Sequence, residues 1–212
     1  MLLDVTRHPY SFLGDHKGQG NGLAGWKTPE GKEPTWHESL LGYCNNSEAA
    51  RRDAEDGMRM LGRRCGIELD YNVQTNWQPV DSQRVMLWAN KFGKQEEYMT
   101  ALGKRHFEQR KSASHRKTIL EAVAEVGLDP KDAEAMLNTD EFRDQVWQSY
   151  GSTIHEKGIH AIPFFCFNSP LTDGGPFGSG RGKAEIVNGS GDPQQFLGVF
   201  EKMLRSMECA SL

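Results

Sequence analysis

Four cysteines, Cys44, Cys65, Cys166 and Cys209, are the residues of this chain best suited to redox or metal chemistry. No two of them form C-x-x-C, and their spacings suit neither a zinc site nor a small disulfide scaffold. Thiol–disulfide exchange needs a thiolate, usually stabilised at a helix N-terminus, and a second cysteine to resolve the mixed disulfide. Cys166 lies inside the apolar run Ile162-Pro163-Phe164-Phe165-Cys166-Phe167, where a thiol behaves as a small hydrophobe. Cys65 falls in the last turn of an expected helix, the dipole end that disfavours a thiolate. Cys44 and Cys209 sit near helix ends with no partner at suitable spacing. The expectation is four free thiols in a reducing compartment, none of them a nucleophile. A second candidate is Ser190-Gly191-Asp192, just ahead of an expected helix, where backbone N–H groups favour a carboxylate. The charge of Asp192 would repel an acid and accept an amine. Plain helix capping accounts for the same residues, and both readings stand.

The elements that must position these groups follow from periodicity. Leu2 to Phe12 reads as a short strand interrupted by Pro9. Gly14 to Pro34 holds six glycines and two prolines in twenty-one residues, a long surface loop. Thr35-Trp36-His37-Glu38 is a capping box opening a helix through Leu40 and Leu41. A helix after Ser47 aligns Ala54, Met58, Leu61 and Cys65 on one stripe, taken as core. Asp81 is expected to cap a helix bearing Val85, Trp88, Ala89 and Phe92, with Gly93 closing it. Further stripes run through Tyr98, Ala101 and Leu102, through Ile119, Ala122, Val123 and Val126, and through Ala133, Met136 and Leu137 after the Asp129-Pro130 cap. The last stripe of this block is Phe142, Val146, Tyr150 and Ile154. From Ile159 the period changes to a strand around Phe164. A long Gly/Ser/Pro-rich hairpin loop from Asn168 to Lys183 follows, then a returning strand at Ala184–Val187. A final helix opens at Asp192-Pro193 and carries Phe196, Val199, Phe200, Met203 and Leu204.

Composition bounds the function. Hydrophobic residues are 37%, charged residues are 25% and mixed in sign, and the net charge is -4, with no basic stripe to bind nucleic acid. No apolar run approaches a membrane span, and the N-terminus has no apolar signal segment. A cytoplasmic protein is the default expectation; an organelle is the alternative if an N-terminal segment is missing.

A helical middle followed by proline, strand, hairpin and helix resembles the DsbA-like branch of the thioredoxin fold. Gly158-Ile159-His160-Ala161-Ile162-Pro163-Phe164-Phe165 resembles that family's G-V-x-G-V-P-x-F segment. Ser190-Gly191-Asp192-Pro193-Gln194-Gln195-Phe196 resembles S-G-A-Q-P-P-E-x-F, and Asp81-Ser82-Gln83-Arg84-Val85 resembles D-S-H-R-L, with Gln83 in place of histidine. The match runs from about Met58 to Leu204. It is similar to FrnE-type oxidoreductases, and more distantly to kappa-class glutathione transferases and 2-hydroxychromene-2-carboxylate isomerases. The implied fold is α/β: one DsbA-like thioredoxin domain over 1–212, with a helical insertion at about 35–157 and a sheet-and-helix part at about 158–206.

The N-terminus aligns in two ways. In one, His8-Pro9-Tyr10-Ser11-Phe12-Leu13-Gly14 lies on the active-site motif, C-P-W-C-[FY]-[IL]-G or S-P-Y-S-[WY]-L-G. His8 and Ser11 are then the candidate catalytic residues, His8 through acid–base action or a hydrogen bond to a thiolate, with Pro9 and Tyr10 contacting substrate. In the other, Val5 to Tyr10 is the second strand, and the first strand-helix unit is missing. The second is preferred, because the fold requires a helix and a strand after the motif and Phe12 to Pro34 is too glycine-rich to supply them. It implies a fragment or incomplete gene product. The resemblance also implies a cis peptide at Ile162–Pro163 that turns the Ile162 main chain outward. There it would pair with an extended peptide or a small thiol, while the Ser190, Gly191 and Asp192 loop holds the γ-glutamyl end of glutathione. No tightly bound cofactor is expected; glutathione enters as co-substrate. Two functions follow: a thiol/disulfide or glutathione-linked oxidoreductase-family protein, impaired or truncated for want of C-x-x-C, or a redox-inactive module binding a peptide or protein partner at the proline loop. A glutathione-dependent isomerase is a third. The sequence is silent on oligomeric state.

Overall fold

A computed structural model describes residues 3–15, 33–168, 184–189 and 192–210, with side chains to residue 206. Among these, the chain forms helices α1 (Trp36–Tyr43), α2 (Glu48–Arg64), α3 (Val80–Asn90), α4 (Gln95–Gln109), α5 (Arg116–Glu125), α6 (Pro130–Leu137) and α7 (Arg143–Gly151). A π-helical turn (Ser152–Glu156), strands β1 (Phe164–Phe167) and β2 (Glu185–Asn188), and helix α8 (Pro193–Ala210) follow. The chain divides into two compact units, Val5–Ser152 and Thr153–Leu212, the latter with Met1–Asp4.

The first unit is built on α3 to α6. Their apolar stripes meet in one core, in which Val85, Ala89, Tyr98, Ile119, Ala122, Val123 and Ala133 are fully buried. The Tyr98 hydroxyl donates to the Ser82 carbonyl (3.2 Å), so a large ring is buried without stranding its polar end. Caps set the boundaries. Thr35 Oγ1 accepts from the Glu38 N–H and Glu38 Oε2 accepts from the Thr35 N–H, so the capping box forms. Pro130 occupies the first turn of α6 behind Asp129.

Four expectations change here. Leu3 to Ser11 carries no regular secondary structure, Phe12 lies in a turn, and the stretch belongs to no ladder among the described residues; its main chain is held by side chains instead. Asp81 does not cap α3, which starts one residue earlier after Pro79; its carboxylate binds Arg84 Nη1 (2.9 Å). The last stripe does not run as a single α-helix, because Phe142 takes a left-handed cap conformation (φ 62°) and the chain widens into a π turn after Gly151. Finally, the apolar stripe of α2 faces outward. Ala54, Met58, Leu61 and Cys65 are exposed, whereas Arg51 and Glu55 are buried. Periodicity locates a stripe but not its direction. Here the polar face is buried because Arg51, Glu48, Glu55 and His37 pair among themselves (2.6–3.0 Å).

In the second unit β1 and β2 are antiparallel, with Phe165 opposite Val187 and Cys166 opposite Ile186. Alternation sends Phe165 and Phe167 to the face covered by Phe196 and Phe200 of α8, at ring separations of 5.1–6.0 Å. Phe164, Cys166 and Ile186 share the other face. Both faces of β1 are thus apolar, yet none of its four residues is buried and Phe165 is exposed. The Ile162–Pro163 peptide is cis. The expected loops at Gly14–Pro34 and Asn168–Lys183 lie, for residues 16–32 and 169–183, outside the described residues.

Candidate functional site

The sequence candidates fall into two sets, one in each unit. In the first unit the stretch Arg7 to Leu13 is fixed by two glutamine side chains. Gln83, on α3, accepts from the Tyr10 N–H (3.0 Å) and donates to the Tyr10 carbonyl (3.0 Å). Gln95, opening α4, accepts from the Arg7 N–H (2.7 Å) and donates to the Arg7 carbonyl (3.1 Å). A carboxamide carries one acceptor and two donors, so each glutamine copies the pairing that a neighbouring strand would give. The Arg7 guanidinium forks onto Glu96 (2.5 and 2.7 Å). The Pro9 carbonyl accepts from Ser149 Oγ (2.8 Å), and Pro9 itself is buried.

Ser11, proposed above as catalytic, is 2% exposed. Its hydroxyl donates to the Trp77 carbonyl (3.0 Å) and accepts from the Leu13 N–H (3.1 Å). Donor and acceptor are both committed, and the residue pins a turn closed by Gly14 N–H on the Ser11 carbonyl (3.0 Å). Tyr10 packs edge-on to Phe12 (5.2 Å), and burial raises the pKa of its phenol. His8 is exposed. Gln83 and Gln95 were not among the sequence candidates. The available signal was Gln83 itself, standing where the resembling motif has histidine.

In the second unit, Ala161, Ile162 and Pro163 form an exposed shoulder at the head of β1, with Ile162 48% exposed. The ladder ends at the Pro163 carbonyl, which accepts from the Gly189 N–H (2.8 Å). The Ile162 main chain has no hydrogen-bond partner among the described residues. Asp192 acts as a cap: its carboxylate accepts from the Gln194 N–H (3.0 Å) and its carbonyl from the Gln195 N–H (2.9 Å). Ser190 and Gly191 lie outside the described residues.

None of the cysteines with a described side chain is placed for exchange. Cys44 and Cys65 are the C-caps of α1 and α2, away from any helix N-terminus. Burial pushes the Cys166 thiol up, against a weak opposing hydrogen bond from Asn168 Nδ2 (3.6 Å). Cys44, Cys65 and Cys166 are free thiols. Among the described residues no three His, Cys, Asp or Glu side chains cluster to hold a metal, and no helix is long and apolar enough to cross a membrane.

The model of the DSBA-like thioredoxin domain family matches residues 35–199. Among solved structures, a probable DsbA oxidoreductase from Streptomyces coelicolor aligns over 67% of this chain with a TM-score of 0.57 and 17% identity. The alignment spans 61% of that neighbour's length, and at this identity it shows a shared fold. No curated protein matches the sequence.

Proposed function

Because this chain belongs to the DSBA-like thioredoxin domain family, we propose that it is a thiol-linked, DsbA-like docking protein, taking an extended peptide or glutathione at the Ile162–Pro163 shoulder. The observation that carries this reading is the exposed Ile162, whose main chain is left unpaired at the head of a strand. An unsatisfied N–H and C=O at a strand end are what an added strand pairs with, and the flanking side chains then give selectivity. Exchange chemistry is not assigned to Cys44, Cys65 or Cys166. All three are free thiols with no disulfide partner among the described residues, and burial raises the Cys166 thiol, which disfavours its reactive thiolate.

A glutathione-linked reaction at His8 and Ser11 has less support, because the Ser11 hydroxyl already serves two backbone partners. Asp192 favours a ligand amine over a carboxylate at the α8 terminus, so the γ-glutamyl amino group is the end it would receive.

The test is amide chemical-shift mapping on titration with reduced glutathione and, separately, with an unstructured cysteine-containing peptide. Saturable shifts at Ala161, Ile162 and Phe164, together with no insulin-disulfide reduction, are expected. Shifts confined to other regions, or turnover in the insulin assay, would overturn the reading.

A further inference from the structure

The far edge of β2, together with the face of α8 beside it, is used by neither the core nor the docking shoulder. A groove of about 440 Å³ runs between them. It is lined by all four residues of β2 (Glu185–Asn188) and by Gln195, Gly198, Val199 and Lys202 of α8, with no residue of β1 among them. Alternate side chains of a strand point to opposite faces, so four consecutive residues share one groove only along the strand's edge. We propose that this groove is a peptide site. An extended, uncharged segment adds antiparallel to β2 as a further strand and seats one aliphatic side chain over Gly198.

Hydrogen bonding selects that occupant. The Pro163 carbonyl accepts from the Gly189 N–H (2.8 Å), so Pro163 and Gly189 face each other as a hydrogen-bonded pair. In an antiparallel ladder such pairs alternate with non-hydrogen-bonded ones. Phe165 with Val187 and Phe167 with Glu185 are therefore the pairs that bond across the ladder. Ile186 and Asn188, between them, turn their N–H and C=O groups away from β1. Those groups have no hydrogen-bond partner among the described residues. Donors and acceptors that repeat at every second residue of an exposed edge are matched by another extended backbone.

Side-chain space fixes the anchor. A residue set opposite Val187 on the added strand sends its side chain to the face that Val187 shares with α8. There Val187 and Val199 are buried, and nothing lies within 4 Å of a Cβ built on Gly198. Glycine is a poor helix former, so α8 gives up helical stability at the point where the groove is open. The charged residues of the lining, Glu185 and Lys202, are paired with each other. A charged anchor would thus find no free counter-charge in the groove, whereas an aliphatic one meets the two valines.

Amide chemical shifts of the full chain, followed on titration with an acetylated, amidated heptapeptide of threonine with leucine at its centre, test the proposal. Saturable shifts at Ile186, Asn188 and Val199 are expected, half-complete below about 1 mM. Hydrogen exchange at the Ile186 and Asn188 amides is expected to slow as the peptide binds. Methylating the backbone nitrogens of the two threonines that flank the leucine removes the donors to β2. Lysine in place of the leucine puts a charge over Gly198. Each change is expected to weaken binding about tenfold or more. Gly198→Leu fills the groove from the helix side; it is expected to weaken binding as much while raising the melting temperature, leucine being the better helix former. Shifts confined to other regions, or binding indifferent to the methylation or to Gly198→Leu, would overturn the proposal. So would Ile186 and Asn188 amides already protected in the free chain, since another strand, such as that of a second copy, would then hold the edge.

Discussion

Replacing Arg84 by methionine is expected to cost about 3–5 kcal/mol, a large share of the stability of a domain this size. Arg84 is wholly buried. Its Nε donates to the Glu141 carbonyl (2.8 Å), Nη1 to Asp81 Oδ1 (2.9 Å) and the Leu137 carbonyl (3.3 Å), and Nη2 to the carbonyls of Met136 (3.1 Å) and Thr139 (2.6 Å). One guanidinium therefore closes the C-terminal end of α6 and the bend into α7. Methionine keeps much of the volume and removes every donor. The Met136 carbonyl is still served by the N–H and hydroxyl of Thr139 (3.1 and 2.7 Å), and Asp81, 38% exposed, returns to water cheaply. The Leu137 carbonyl is left buried and unpaired, at about 1–3 kcal/mol, and the half-buried carbonyls of Thr139 and Glu141 add about 1 kcal/mol each. Arg84→Lys keeps the charge but not the planar fork, and is expected to lose about 2 kcal/mol. Urea denaturation followed by far-ultraviolet circular dichroism measures both. A methionine variant within about 1 kcal/mol of the parent would show that the α6 end does not depend on this side chain.

Two further perturbations probe the same unit. Trp36 Nε1 donates to His106 Nε2 (2.9 Å), so that nitrogen must be unprotonated; burial holds the imidazole down to about 4, against an ordinary 6.5. The unfolded chain therefore binds the proton first. This contribution is complete above about pH 6.5 and is lost as pH falls toward 4, by up to about 3 kcal/mol. The urea midpoint of His106→Gln should depend less on pH between 4.5 and 7 than that of the parent, and an equal slope refutes the assignment. Gln83→Ala should release Tyr10, speeding exchange of its amide hydrogen about tenfold or more while lowering global stability by only about 1–2 kcal/mol. Unchanged protection of that amide would mean that the glutamine clamp is not what holds the segment.

The helical block was legible because its cores are local. Stripes such as Val85, Trp88 and Ala89, or Ile119, Ala122 and Val123, repeat at helical spacing, and caps such as Thr35 to Glu38 and Asp129-Pro130 announce their own boundaries. The paired strands were legible for a similar reason: an apolar run and its return flank a turn-rich loop. Direction was not legible. The α2 stripe has the period of a core face, and only the ion pairs of Arg51 and Glu55, which reach across to His37, decide that its polar side turns inward. Nor could spacing show that Leu3 to Phe12 would be held by glutamines 73 to 88 residues away in sequence. A strand pattern states a preference for extended backbone; what satisfies that backbone is a tertiary fact.

The stretch Asp81-Ser82-Gln83-Arg84 shows why motif resemblance and chemistry separate in this chain. Asp81 orients Arg84, the Ser82 carbonyl receives the Tyr98 hydroxyl, Gln83 clamps Tyr10, and Arg84 closes α6. Four consecutive residues thus tie α3 to α4, to the N-terminal segment and to the α6–α7 bend, and packing accounts for each of them. The same holds for Ser11, whose hydroxyl is spent on a turn. Where every polar atom has a structural partner, none remains to bind or attack a ligand. The Ile162 main chain is the contrasting case, exposed and unpaired at the head of a strand. That contrast supports the docking proposed at the proline shoulder, and it assigns the motif in α3 to holding the helical unit together.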